Sequence, residues 1–175
     1  MNKSKSYSIV LMGLFVAIMA VCSWVSIPMV PIPITLQTMG VFITASILGA
    51  KKGTVSIIIY ILLGAIGLPV FSNFTGGFGI ILSPTGGFIL GFIFTTIITG
   101  FILEHFKCSI LTNILAMTSG LVACYLIGTI WYCVYAGVDV LTSLLVCVVP
   151  FLIGDAVKIG VSAILTTKLK KHIKI

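Results

Sequence analysis

"VLTSLLVCVVPFLIGDAVKIGVSAILTT", residues 140–167, is apolar almost throughout, yet it holds an acid and a base. A helix needs about 20 apolar residues to cross a bilayer, so this run is too long for one ordinary span. Pro150 and Gly154 break it. The first part, 140–149, reads as a short helix or interfacial segment started by Asp139. The second part, about 151–167, reads as a membrane span of roughly 26 Å at about 1.5 Å per residue. Asp155 and Lys158 then lie one to two turns inside one face of the membrane. At spacing i,i+3 they share one side of the helix. Charge at that depth is costly and normally faces a protein interior or a wet cavity.

The rest of the chain repeats the pattern. Of its 175 residues, 59% are hydrophobic and 7% charged, whereas a soluble domain carries about 25% charged residues. Continuous apolar runs are unlike the short alternating strands of a membrane barrel. Besides the last span, runs at about 7–27, 34–50, 53–68, 84–103 and 110–131 are long enough to cross. The expected fold is therefore an all-α integral membrane protein. It forms one six-helix domain over 1–175, with a tight turn at Lys51-Lys52-Gly53. The segment after "GLPVFSNFTGG" is a glycine-rich connector, and Ser83 with Pro84 starts the fourth span. The first span follows two lysines as a signal peptide would, but its length and the lack of a cleavage site keep it as a span.

All ten basic residues are lysines, giving a net charge of +7. In a six-span arrangement nine of them fall on one side: Lys3, Lys5, Lys51, Lys52, Lys107, Lys168, Lys170, Lys171 and Lys174. The positive-inside rule puts that side, and both termini, in the cytoplasm. The basic balance thus reports topology in a lipid bilayer, not nucleic-acid binding. The five cysteines, Cys22, Cys108, Cys124, Cys133 and Cys147, form no paired motif and read as small apolar residues. His105 and His172 sit beside cytoplasmic lysines.

Only Lys158 departs from the topological pattern. With Asp155 it marks either an ion pair that fixes helix packing or a site for a polar ligand arriving from outside. Neighbouring outer segments offer further polar groups. Thr35, Gln37 and Thr38 open the second span, where Gln37 either bonds another helix or faces a ligand. Asn73 and Thr75 sit in "FSNFTGGFG". Tyr125, Trp131, Tyr132 and Tyr135 cluster at the outer part of the fifth span. For Trp131 and Tyr135 an interfacial belt is the better reading. Small residues recur at Gly13 and Ala17, which suit contact with another protein, and at Gly87 and Gly91, which suit internal packing. The sequence lacks a phosphate-binding P-loop, a nucleophile elbow, a zinc-protease motif and paired carboxylates. It has three acids in all, so an enzyme is not expected, and no metal or cofactor is implied.

"VPIPITLQTMGV", "GLPVFSNFTGGFGIILSPTGGFILGF" and "PFLIGDAVKIG" together resemble the BioY family. These are the biotin-specific substrate-binding (S) components of energy-coupling factor (ECF) transporters. The likeness covers nearly the whole chain and implies the six-helix S-component fold with both termini cytoplasmic. It implies a multi-pass protein of a prokaryotic cell membrane that captures biotin from outside as substrate. It further implies three partners: a transmembrane coupling protein and two cytoplasmic ATPases that energise uptake. Family binding residues map onto Asp155, Lys158 and Asn73. The docking motif of the first helix, usually AxxxA, appears here as Gly13-xxx-Ala17. Biotin's ureido head could donate to Asp155, and Lys158 could meet the ureido oxygen or the carboxylate. Gln37, Thr38 or Tyr125 would complete the site. The alternatives are an S component for another small vitamin, or a non-transport membrane scaffold.

Overall fold

The computed structural model describes residues 3–107 and 109–172, and the side chains of 6–107 and 109–170. Cys108 and Lys174 lie outside the described residues, as do the side chains of Lys3, Lys5, Lys171 and His172. Helix α1 runs Lys3–Trp24. Its 22 residues rise about 33 Å, enough for a hydrocarbon core of ~30 Å. A two-stranded antiparallel ribbon follows, β1 (Ser26–Ile27) with β2 (Ile34–Thr35). The sequence did not suggest it, because Pro28, Pro31 and Pro33 occupy its loop and each strand has only two residues.

The helical segment α2, Gln37–Ala65, is two helices joined at Gly49, whose φ of 75° is left-handed. Gln37 Nε2 lies 2.8 Å from Tyr60 Oη. A straight helix would separate residues 23 apart by about 34 Å. The arms 37–48 and 50–65 are therefore antiparallel. The expected turn is present, but it lies at Gly49 and not at Lys51-Lys52-Gly53, which belong to the second arm. Glycine takes positive φ without the steric cost a Cβ brings. The Glu104 carboxylate accepts from the Ala50 N–H at 2.7 Å, satisfying an orphan donor at the start of that arm.

A connector carries the chain through a turn at Ser72–Phe74 and one helical turn, α3 (Phe78–Ile81). That turn was hidden by the flanking glycines. Helix α4 spans Gly86–His105 and α5 Ile110–Ala136. The fourth span thus starts two residues after Pro84, and the fifth runs five residues past its expected end. Gly137, with φ 65°, stops it. Asp139 caps α6, Val140–Cys147, accepting from the Thr142 N–H at 3.2 Å. The Thr142 bonds hold this exposed carboxyl below its ordinary pKa. A turn at Val149–Phe151 containing Pro150 leads to α7, Leu152–His172.

Helix α4 packs between α2 and α5. A Cβ at Gly87 would collide with Trp131, and one at Gly91 would stand 2.9 Å from Cys124 Sγ. This pair is internal, as its spacing suggested. Two hydroxyls reinforce the contact: Thr95 donates to Gly120 O at 3.0 Å and Thr99 to Ala116 O at 3.2 Å. Each such interhelical bond contributes about 0.6 kcal/mol in a membrane. The exposed side chains of α5, among them Leu115, Val122, Leu126 and Ile130, are apolar and suit lipid.

Three contacts fix the topology. Lys52 Nζ donates to Ser8 Oγ (3.1 Å), Ala50 meets Glu104, and Asn113 Nδ2 donates to Thr167 Oγ1 (3.1 Å). These gather the start of α1, the Gly49 turn, the end of α4, the start of α5 and the end of α7 on one face. The chain therefore crosses six times: α1, two arms of α2, α4, α5 and α7. The start of α1 and the end of α7 share the lysine-rich face.

Candidate functional site

The first arm of α2 has 12 residues, about 18 Å, short of the ~30 Å core. Its outer entry is the extended β2 and Leu36. Non-helical backbone at membrane depth is tolerated where it lines a cavity, and a cavity is present. About 600 Å³ of space, part of it open to the outside, lies between β2, the start of α2, the connector, α4, α5 and α7. The cavity opens on the lysine-poor, outer side.

Asp155 and Lys158 line it together, with Lys158 Nζ 2.8 Å from Asp155 Oδ1. Both are buried, Asp155 at 1% and Lys158 at 8% exposure. Asp155 is also held by Thr38, whose hydroxyl donates to Oδ1 at 2.9 Å. Tyr125 donates to Oδ2 at 2.5 Å. Three donors from three helices thus converge on one carboxylate, which has about four lone-pair positions. With these three donors bound, Asp155 keeps about one lone-pair position for a guest. The ammonium has three N–H donors; one is bound to Asp155.

Gln37 lines the cavity and also bonds the second arm of α2. Its Nε2 donates to Tyr60 Oη, and its Oε1 accepts from Thr35 Oγ1 at 3.1 Å. Tyr60 in turn donates to Val70 O at 2.9 Å, so this wall is tied to the connector. Thr38 and Tyr125 are likewise in the lining. Asn73 is not. It is exposed, with φ 56°, and its Oδ1 accepts from Ser26 Oγ at 2.9 Å. The connector reaches the cavity through Phe71 and Ser72 instead. Trp24 stacks on Phe74 with centroids 5.0 Å apart, pinning the same loop to α1. Trp131 Nε1 donates to Ser83 O at 3.0 Å, which makes it a brace between α5 and the connector. Tyr135 is exposed, as a belt residue would be.

The sequence reading missed the apolar half of the cavity. Phe88, Ile89 and Phe92 of α4, with Cys124 and Cys147, form it. Nothing separates such residues from ordinary core in a chain this apolar. The result is a chamber lined by apolar side chains of α4 on one side and by a hydrogen-bonded polar set on the other. It suits a small amphipathic molecule with a hydrogen-bonding end.

Comparison with known proteins agrees with this architecture. A model of the BioY family matches residues 1–175. A protein named biotin transporter BioY from Thermotoga maritima is 40% identical over 159 residues, covering 91% of this chain and 93% of that one. Another of that name, from Rhizobium etli, is 36% identical over 168 residues, covering 90% and 89%. A crystal structure of the S-component for biotin from an ECF-type ABC transporter superposes with a TM-score of 0.91. It is 28% identical and covers 98% of this chain and 94% of that one.

Proposed function

The chain belongs to the BioY family, and from that premise we propose that it is the biotin-binding membrane subunit of an ECF-type importer. It takes biotin from the outer side into the chamber between α2, α4, α5 and α7. The observation that carries this is the pairing of an apolar wall, Phe88, Ile89 and Phe92, with Lys158, which is bonded to Asp155. Biotin has the matching shape: a flat bicyclic head with a ureido group, a thioether ring and a carboxylate tail. In this reading Lys158 gives charge-assisted bonds, which are the strong ones in a dry site. Asp155, Tyr125 and Thr38 position it, and Gln37 offers its remaining N–H. Asn73 acts from the rim, by tying the connector to β1 through Ser26.

The chain is not an enzyme, and the energy for accumulation comes from partners. We assign these as a transmembrane coupling protein and two cytoplasmic ATPases. Gly13 and Ala17 support docking on the first. Both are exposed on α1, and a Cβ added at Gly13 would meet nothing, so a partner helix can approach closely. Titration of the purified chain with biotin, thiamine and riboflavin tests the reading. Saturable binding of biotin alone is expected; binding of another vitamin in its place would move the chain to a different S component. Transport into sealed vesicles by this chain without partners would refute the energising scheme.

A further inference from the structure

Below the chamber the interior changes twice. Phe42, Met117, Leu121, Ile159 and Ala163 form a fully buried apolar cluster, with Tyr125 packed against it. The first arm of α2 and α7 run parallel here, from the Thr38–Asp155 bond to the cluster that Phe42 and Ile159 share. One turn further toward the lysine-rich face come Ser46 on α2 and Ser162 on α7. Their exposures are 1% and 0%, and neither hydroxyl has a hydrogen-bond partner. Thr166 lies four residues beyond Ser162 and donates to Ser162 O at 2.7 Å, with Asn113 Oδ1 at 3.4 Å. Asn113 also reaches Thr167, near the cytoplasmic end.

Buried hydroxyls are nearly always bonded to protein or to ordered water. The two orphans lie at the same depth on neighbouring helices, and Ser162 adjoins the Thr166–Asn113 cluster; a water bridging them would find the two to four polar partners it needs. We propose that Ser46 and Ser162, with Thr166 and Asn113, form a water-binding site on the cytoplasmic side. The cluster of Phe42, Met117, Leu121 and Ile159 is then the seal between this site and the ligand chamber. The seal is thin. Lys158 faces the chamber and Ser162 faces the water site, four residues apart, about 6 Å along the axis. One turn of apolar side chains thus separates the two polar regions. Opening that turn joins two polar regions into a continuous water path.

The test is proton leakage through the full-length chain in sealed vesicles, followed with an entrapped pH-sensitive dye after a pH step. The natural chain should hold the gradient as protein-free vesicles do. Phe42→Ala, and separately the polar variant Met117→Ser, should collapse it at least tenfold faster. Adding Ser46→Val and Ser162→Ala to either variant should return the rate toward the natural one, since the lower water site is gone. The measurement needs no ligand, so it stands apart from the identity of the substrate. Monodisperse elution and an unchanged helical circular dichroism spectrum certify that each variant is folded. Folded seal variants that remain tight, or a leak that persists in full after the serine substitutions, would overturn the proposal.

Discussion

Removing the carboxylate of Asp155 should expose what the buried pair does. In Asp155→Leu an ammonium at 8% exposure loses its counter-ion, and the hydroxyls of Tyr125 and Thr38 lose their acceptor. Were the pair at the surface, the loss would be about 0–1 kcal/mol. Buried, breaking one side costs about 3–5 kcal/mol, because an uncompensated charge remains. Lys158→Met leaves the carboxylate with two hydroxyl donors and should cost less. The double variant Asp155→Leu, Lys158→Met removes both charges, so its stability should return to within about 1 kcal/mol of the natural chain. Binding should follow a different order. Truncating a buried charged partner of a ligand costs about 2–5 kcal/mol, roughly 30- to 4,000-fold in affinity. All three variants should lose at least the lower figure. Unfolding by denaturing detergent gives the stabilities and calorimetric titration with biotin gives the affinities. A double variant that binds biotin like the natural chain would refute the site. A double variant as unstable as Asp155→Leu would refute the argument from an orphaned charge.

Tyr125→Phe should weaken biotin binding by about 1.5–3 kcal/mol, the range for a hydrogen bond to a charged group; calorimetry would read this as tenfold or more, and an unchanged affinity would remove Tyr125 from the site. Asn73→Ala deletes the Ser26 bond and places alanine at a left-handed φ, each worth about 1 kcal/mol. It should speed biotin release in stopped-flow measurements by about fivefold or more, while leaving the polar contacts of the chamber intact. At the cytoplasmic turn, Gly49→Ala forces a Cβ into positive φ and into the Glu104 carboxylate. Unfolding in detergent should show a loss of at least about 1 kcal/mol, with biotin affinity at the distant chamber within about threefold of the natural value.

Much of this architecture is visible in the residues alone. Nine lysines on one side of six apolar runs give the topology, because each charge is too costly to leave in oil. Lys158 stands out for the same reason. What the sequence concealed had a different cause in each case. The β1–β2 ribbon is too short for any periodicity. The turn at Gly49 is marked by a single glycine in a chain that has 18, and the more conspicuous lysine pair drew the boundary three residues late. Phe88, Phe92 and Cys124 are apolar like their neighbours, and only packing reveals that they face a chamber. Asn73 has the right chemistry for a ligand, yet its left-handed backbone turns it toward Ser26. Asp155 appeared as an acceptor for a guest. Two of its three protein donors, Thr38 and Tyr125, come from helices far apart in sequence, and no spacing rule could have brought them to it.

The most direct trial is native mass spectrometry of the freshly purified chain, before and after incubation with biotin. The account predicts a one-to-one biotin adduct that thiamine and riboflavin fail to displace. A stable adduct with another vitamin, or none after saturation with biotin, would contradict it.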